Sequence, residues 1–153
     1  MTLWDYAVAA WRRPAVEVAC LNLQTAHGQC APLFLWRLWA LAEGRPVDDA
    51  MLEIAVAAAR AWESAVTAPL RSARRALKAA SPAIPDAARM ALREQVRAAE
   101  LAAERVLLDA LDALTPAPAG HQAEPLTALT KLTAAWGAPA PADALQRLIA
   151  AAH

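Results

Sequence analysis

One stretch of the chain, residues 48–114, decides the fold: DDAMLEIAVAAARAWESAVTAPLRSARRALKAASPAIPDAARMALREQVRAAELAAERVLLDALDAL. Its apolar residues recur at spacings of three and four on both sides of Ser81-Pro82, and this spacing is typical of amphipathic helices. Because the break between the two patterns is short, the helices must run antiparallel. The stretch therefore predicts a long helical hairpin that turns near Pro82.

The first helix of this hairpin contains Pro69, a residue that removes one backbone hydrogen bond and bends a helix axis. The apolar spacing keeps its phase across Pro69, so we predict one kinked helix rather than two. Folding the hairpin about Pro82 is expected to bring Trp62 close to Ala103. The apolar stripe predicted for the second helix is Leu92, Val96, Ala99, Ala103, Val106, Ala110 and Leu114.

The composition and the helix-end signals predict an all-α protein. The chain is rich in alanine and contains one Phe and one Tyr, which favours helices over strands. Thr2 with Asp5 is typical of a helix start, and Gly28 and Gly44 are typical of helix ends. We expect three short N-terminal helices, residues 3–13, 14–27 and 31–43, packed on the long kinked antiparallel hairpin.

Two short C-terminal helices are predicted after the hairpin, and a segment rich in proline and alanine precedes them. The predicted division of the chain is a helical core domain at residues 1–114, a linker at 115–125 and a helical tail at 126–153.

The two ends of the hairpin carry opposite charge, although the formal net charge of the chain is zero. Seven basic residues surround the turn and exceed the two carboxylates there by five charges. Their spacings of three and four place them on shared helix faces, where guanidinium groups can bind phosphate or carboxylate groups. The predicted anion-binding residues are Arg71, Arg74, Arg75, Lys78, Arg89, Arg93 and Arg97. The other end holds Asp48, Asp49, Glu53, Glu63, Glu100, Glu104, Asp109 and Asp112.

Three interpretations of the basic end stay open. In the first, the basic end is a solvated face whose cations pair with Asp86 and Glu94. In the second, it is a binding surface for an anionic partner. In the third, it is one half of a homodimer contact. The anionic partner would be a protein, a nucleic acid or a small anion. A general nucleic-acid binder is usually basic overall, and the zero net charge argues against that class.

A second candidate site lies in the three N-terminal helices, where polar residues interrupt an apolar segment. Buried polar groups need partners, so these residues form either a structural hydrogen-bond network or a small pocket roofed by tryptophans. The residues of this predicted polar pocket are Asp5, Asn22, Gln24, His27, Trp4 and Trp39, with Trp11 close by.

The sequence indicates no catalytic centre, metal site or cofactor. No serine, cysteine or carboxylate pair in the three N-terminal helices has the spacing of a nucleophile and its base, and the four scattered glycines of the chain cannot form a phosphate loop. Cys20 and His27 are seven residues apart, about 10 Å along a helix, which is too far to share one zinc ion. We expect Cys20 to be a buried small residue.

We also expect a cytoplasmic protein with reduced thiols and no membrane-spanning segment. No secretory signal is visible at the start of the chain. The most apolar stretch, residues 31–42, contains Arg37 and is shorter than the ~20 residues that a bilayer requires.

Several ordered pieces of the chain resemble a small proteobacterial family that is described only as a domain of unknown function. The resemblance covers roughly residues 3–114 and implies no catalytic residue. The matching pieces are Leu3-Trp4-Asp5-Tyr6-Ala7, Pro14-Ala15-Val16, Ala19-Cys20-Leu21-Asn22-Leu23-Gln24, His27-Gly28, Leu38-Trp39, Trp62, Pro69-Leu70-Arg71, Arg74-Arg75, Leu77-Lys78, Glu100-Leu101 and Glu104-Arg105.

The sequence therefore predicts a non-catalytic cytoplasmic interaction module that presents a basic hairpin end to an anionic partner or to its own dimer mate. The alternative is a small-molecule-binding protein, or less readily an enzyme, that uses the tryptophan-lined polar pocket.

Overall fold

The computed structural model describes residues 1–153 and is all-helical, as predicted. The chain forms eight α-helices and one π-helical turn and contains no strand. The helices are α1 (Leu3–Trp11), α2 (Pro14–His27), α3 (Ala31–Ala42), α4 (Asp49–Trp62), α5 (Ala68–Ala76), α6 (Asp86–Leu114), α7 (Pro125–Trp136) and α8 (Ala142–Ala152), and the π turn spans Glu63–Thr67.

Local signals in the sequence fix the helix ends. The Thr2 hydroxyl accepts a hydrogen bond from the Asp5 backbone N–H at 3.1 Å and donates to the Asp5 carboxylate at 2.6 Å. Gly28 ends α2 with a φ of 62°, in the left-handed region where glycine has no Cβ penalty. These predicted ends are confirmed because each depends only on residues within one turn of the chain.

The segment from α4 to α5 is helical without a break, and α5 packs against α6. The π turn ends just before Pro69, where the missing backbone N–H interrupts the regular ladder of an α-helix. Trp62 lies beside Ala103, as predicted: its indole Nε1 donates to the Ala103 carbonyl oxygen at 2.9 Å.

The predicted apolar stripe of α6 is wrong in its rotation about the helix axis. Three of its members, Leu92, Val106 and Leu114, are exposed at 48 %, 51 % and 44 %. A fully buried leucine contributes more apolar area than an alanine, so α6 turns its leucine-rich side inward instead of the alanine-rich stripe. The buried residues of α6 are Glu100, Ala103, Leu107, Leu108 and Leu111.

Helix α3 occupies the centre of the core, with Phe34, Trp36 and Trp39 almost completely buried. The indole of Trp36 donates to the Thr115 hydroxyl at 2.8 Å, which fixes the chain directly after α6.

The C-terminal helices belong to this same core. Residues 115–124 form no helix, but α7 packs on α3 and α4, and α8 packs on α2. Four buried leucines of α7 and α8 form part of the core: Leu129, Leu132, Leu145 and Leu148. The predicted boundaries at residues 115 and 125 therefore mark interruptions of the helical structure and not a break in the core.

None of the helices combines the length and the apolar character needed to cross a lipid bilayer.

Candidate functional site

The predicted basic end does not form one surface. Three of its seven cations contact other groups of the hairpin across the seam between α5 and α6, and a fourth, Arg93, is mostly buried. Arg71 lies 2.7 Å from the Glu63 carboxylate and 3.5 Å from the Glu100 carboxylate. Arg74 lies 2.5 Å from Glu100 on the same side of the seam. Two carboxylates that the sequence assigns to the acidic end therefore neutralise two cations of the basic end.

Arg89 and Arg93 are also withdrawn from the surface, with side chains that are 11 % and 17 % exposed. Arg89 donates to the carbonyl oxygens of Leu77 and Lys78, at 2.6 and 3.1 Å, and pairs with Asp86 at 3.0 Å. It thereby binds the C-terminal carbonyls of α5 and stabilises that helix end. The Arg93 side chain is 17 % exposed and lies 3.9 Å from Glu94.

Three cations of the predicted set remain on the surface. Arg75 and Lys78 are exposed and make no ion pair with a carboxylate. Arg97 lies 3.9 Å from the exposed Glu94 carboxylate, and a surface pair of that length is weak. Only these three are free to meet a partner.

The predicted polar pocket is likewise divided. Asp5 caps α1 and is exposed, and Asn22 is exposed on α2. Trp39 is completely buried and donates to the Met1 carbonyl oxygen at 3.0 Å. The predicted residues Asp5, Asn22, His27 and Trp39 therefore do not come together. Trp4 and Asp5 line one cavity, beside Arg105, and Trp4 and Gln24 line a second cavity.

That second cavity lies between the three N-terminal helices and the hairpin, and we call it the interhelix cavity. Its volume is about 420 Å³, within the range typical of small-molecule sites. One wall is apolar and includes Trp4, Trp11 and Leu35 from α1 and α3. The opposite wall carries Arg74 and Glu100, so the cavity joins parts of both predicted sites.

Four charged or amide side chains line the interhelix cavity without any hydrogen bond or ion pair within the protein: Arg12, Gln24, Arg75 and Glu104. Arg71 and Arg74 also line it, but the glutamates of the seam engage them. The unengaged groups are the ones available to a ligand.

The electrostatics of the seam follow from burial and close charge pairs. Burial alone lowers the pKa of Arg71, but the hydrogen bond to Glu63 and the nearby carboxylates outweigh it and raise this pKa. The hydrogen bond to Glu100 raises the pKa of Arg74. Burial raises the pKa of Glu104, and the negative charge of Glu100 raises it further. Both effects make the Glu104 carboxyl easier to protonate than an exposed glutamate.

Both cysteines are buried free thiols. Burial raises the pKa of Cys20 and of Cys30 to about 12, so both are protonated at neutral pH and neither has thiolate character. No group of three or more His, Cys, Asp or Glu side chains has the arrangement of a metal site.

Sequence reasoning missed Arg12 and did not include Glu104 in either candidate site. One signal for Glu104 was present: Glu100 and Glu104 are four residues apart on one helix face, and such a like-charge pair needs cations opposite it. Arg12 gave no such signal, because its place at the cavity depends on how α1 packs against the hairpin.

The fold and the interhelix cavity define a small all-α protein with a cavity of mixed apolar and charged lining between its N-terminal helices and its hairpin. A family model described as "Protein of unknown function (DUF2390)" matches residues 2–111, and the chain belongs to this family. No curated protein and no solved structure matches the chain. The side chains that line the cavity all come from residues 4–108, inside the part of the chain that the family model covers.

Proposed function

We propose that this protein is a non-catalytic interaction module that presents the end of its hairpin to an acidic surface of another protein. We call residues 68–99 the hairpin arm. The observation that carries the proposal is burial: no residue of the arm is buried, whereas Thr67 and Glu100, which flank it, are exposed at only 2 % and 8 %. Two helices that pack mainly on each other and extend from a core are suited to contact a partner.

The surface of the arm combines apolar and cationic side chains. Ile84, Met90 and Leu92 are exposed at 50 %, 43 % and 48 %. Lys78 and Arg97 are exposed on the same arm. An amphipathic helix or a surface with apolar residues flanked by carboxylates would complement this composition.

A second copy of the chain fits the surface of the hairpin arm less well than a different protein does, because the carboxylates of the acidic end already make contacts within the molecule. Asp49 pairs with Lys131 of α7 at 3.0 Å. Asp112 accepts a hydrogen bond from the Leu3 backbone N–H at 2.8 Å. These contacts reduce the charge that a second basic arm would meet.

A nucleic acid also fits the surface of the hairpin arm less well than an acidic protein does. Its binding depends mainly on the number of phosphates that cations neutralise, and the arm keeps only Arg75, Lys78 and Arg97 free. Exposed leucine, isoleucine and methionine add nothing to phosphate contacts but do contribute to protein interfaces.

The non-catalytic part of the proposal is supported by the chemistry of the interhelix cavity. Its lining includes Glu104 but no serine, cysteine or histidine that could act with it. The hydroxyl of Thr25, which also lines it, donates to the Leu21 carbonyl oxygen at 2.8 Å. The same proposal places the protein in the cytoplasm, where its two free thiols would stay reduced.

The test uses the full chain with a photoreactive amino acid at Met90 on the arm, or at Val18, which is exposed on α2, as the control position. We expect a crosslinked protein from Met90 and not from Val18, and we expect Lys78→Glu with Arg97→Glu to abolish the crosslink. Arg147→Glu, which changes an exposed cation on α8, is the matched control and should leave it unchanged.

Three outcomes overturn the proposal. The crosslink persists in the Lys78→Glu, Arg97→Glu variant, the crosslinked species is a dimer of this chain, or nuclease treatment removes it.

A further inference from the structure

We infer that the interhelix cavity binds a small amphipathic organic acid, with the acid group at Arg12 and Arg75 and the apolar body against Trp4 and Trp11. This site shares Arg75 with the hairpin arm, but Lys78, Arg97 and the exposed apolar side chains Ile84, Met90 and Leu92 of the proposed docking surface do not line the cavity.

The apolar wall supplies the place for the body of the ligand. Trp4, Val8 and Trp11 come from one face of α1, Leu21 from α2 and Leu35 from α3. A wall of this kind removes apolar ligand surface from water, which is the main source of affinity for small molecules. The Arg105 guanidinium lies 4.9 Å from the centroid of the Trp4 ring and helps to hold that ring in place.

The arginines of the cavity that lack a carboxylate partner determine the charge of the ligand's head group. Glu63 and Glu100 neutralise Arg71 and Arg74. Arg12, at the end of α1, and Arg75, on α5, face the same cavity with no carboxylate partner. Two unengaged guanidinium groups that line one cavity favour an anionic head group such as a carboxylate, which accepts paired hydrogen bonds from a guanidinium fork.

Gln24 and Glu104 complete the polar lining. The Gln24 amide can donate to the acid group of the ligand. Burial beside Glu100 raises the pKa of Glu104 and makes this carboxyl easier to protonate, and a protonated carboxyl donates a hydrogen bond to an anion. A cationic ligand would meet two unpaired guanidinium groups, Arg12 and Arg75.

The indole N–H groups report directly on this site. The indoles of Trp36, Trp39, Trp62 and Trp136 donate hydrogen bonds inside the protein, and these four tryptophans do not line the cavity. Trp4 and Trp11 do line it, and their indoles make no hydrogen bond within the protein. Nitrogen-15-edited NMR spectra of the full chain therefore separate binding at the cavity from binding elsewhere.

The probes are octanoate and 4-phenylbutanoate, with octanol and octylamine as the neutral and cationic matches. We expect both acids to shift the Trp4 and Trp11 indole signals saturably at millimolar concentration, and to leave the Trp136 signal unchanged. Arg12→Gln with Arg75→Gln should weaken the dissociation constant about ten-fold or more, whereas Lys78→Gln should leave it unchanged. Both replaced arginines are exposed, and the four other indole signals show whether the variant is folded.

The inference is overturned if neither acid shifts the two signals, if octanol binds as tightly as octanoate, if octylamine binds more tightly, or if the double variant keeps its affinity. None of these results bears on docking at the arm, because the crosslinking test replaces Lys78 and Arg97 and not the cavity arginines.

Discussion

The Arg74 Nε atom lies 2.5 Å from the Glu100 Oε2 atom, and this ion pair joins α5 to α6 at the base of the hairpin arm. Arg71 approaches the same carboxylate from the previous turn of α5, at 3.5 Å. One nearly buried glutamate therefore holds two arginines, and the arm that carries the proposed docking surface begins directly beyond it.

Removing the Glu100 charge should loosen the base of the arm. We expect Glu100→Gln to lower the free energy of unfolding by about 2 kcal/mol, because it leaves two partly buried guanidinium groups without their shared partner. The measurement is urea denaturation followed by circular dichroism. Glu94→Gln is the matched control on the same helix, where the carboxylate is 62 % exposed and its two ion pairs are 3.9 Å long. Equal losses in the two variants would show that the buried pair has no special role.

Glu104 predicts a specific pH dependence. Its pKa is raised in the folded protein by burial and by the Glu100 charge, so the native state prefers the neutral carboxyl. This contribution to stability is present below the unfolded pKa of a glutamate and is lost as the pH rises through the higher folded pKa. We expect Glu104→Gln to stabilise the protein at neutral pH by up to about 1 kcal/mol, and the gain to disappear in acid.

The measurement for Glu104 is a series of thermal or urea unfolding curves between mildly acidic and neutral pH. A loss of stability at neutral pH in the Glu104→Gln variant would mean that Arg71 and Arg74 stabilise the ionised carboxylate more than burial opposes it.

Two neighbouring residues test the observed rotation of α6. Leu107 is 4 % exposed, and Val106 is 51 % exposed although it belongs to the stripe that the sequence predicts. We expect Leu107→Ala to cost about 2–4 kcal/mol of unfolding free energy through lost burial and a residual cavity, and Val106→Ala to cost about 0.5 kcal/mol or less. Chemical denaturation of both variants measures the two losses of unfolding free energy. A larger loss for Val106→Ala than for Leu107→Ala would mean that the stripe predicted from the sequence is the buried side of α6.

Features that depend on neighbouring residues could be predicted from the sequence. The cap formed by Thr2 and Asp5, the left-handed Gly28 and the contact of Trp62 with Ala103 all follow from spacing within one helix or one hairpin. The continuation of the helix through Pro69 could also be predicted from the apolar spacing, but nothing in the sequence indicated the π turn before it.

Other features depend on contacts between distant segments and were therefore missed. The leucine-rich and alanine-rich sides of α6 have similar spacing, and only packing against α1 and α3 selects between them. Counting charges along the sequence assigns Arg71 and Glu100 to opposite ends of the hairpin. The count does not show which side chains meet between α5 and α6, where these two lie 3.5 Å apart. The interhelix cavity brings Arg12 close to residues about sixty positions further along the chain, a relation that no local pattern contains.

The most direct test of the central claim is the affinity of the crosslinked partner for the full chain, measured by calorimetry at low and at high salt. The account predicts that Lys78→Glu with Arg97→Glu weakens the dissociation constant about ten-fold or more at low salt, that high salt weakens the unmodified complex in the same direction, and that Arg147→Glu changes neither value. An affinity that is independent of salt and equal in all three proteins would contradict the claim that the hairpin arm recognises an acidic surface.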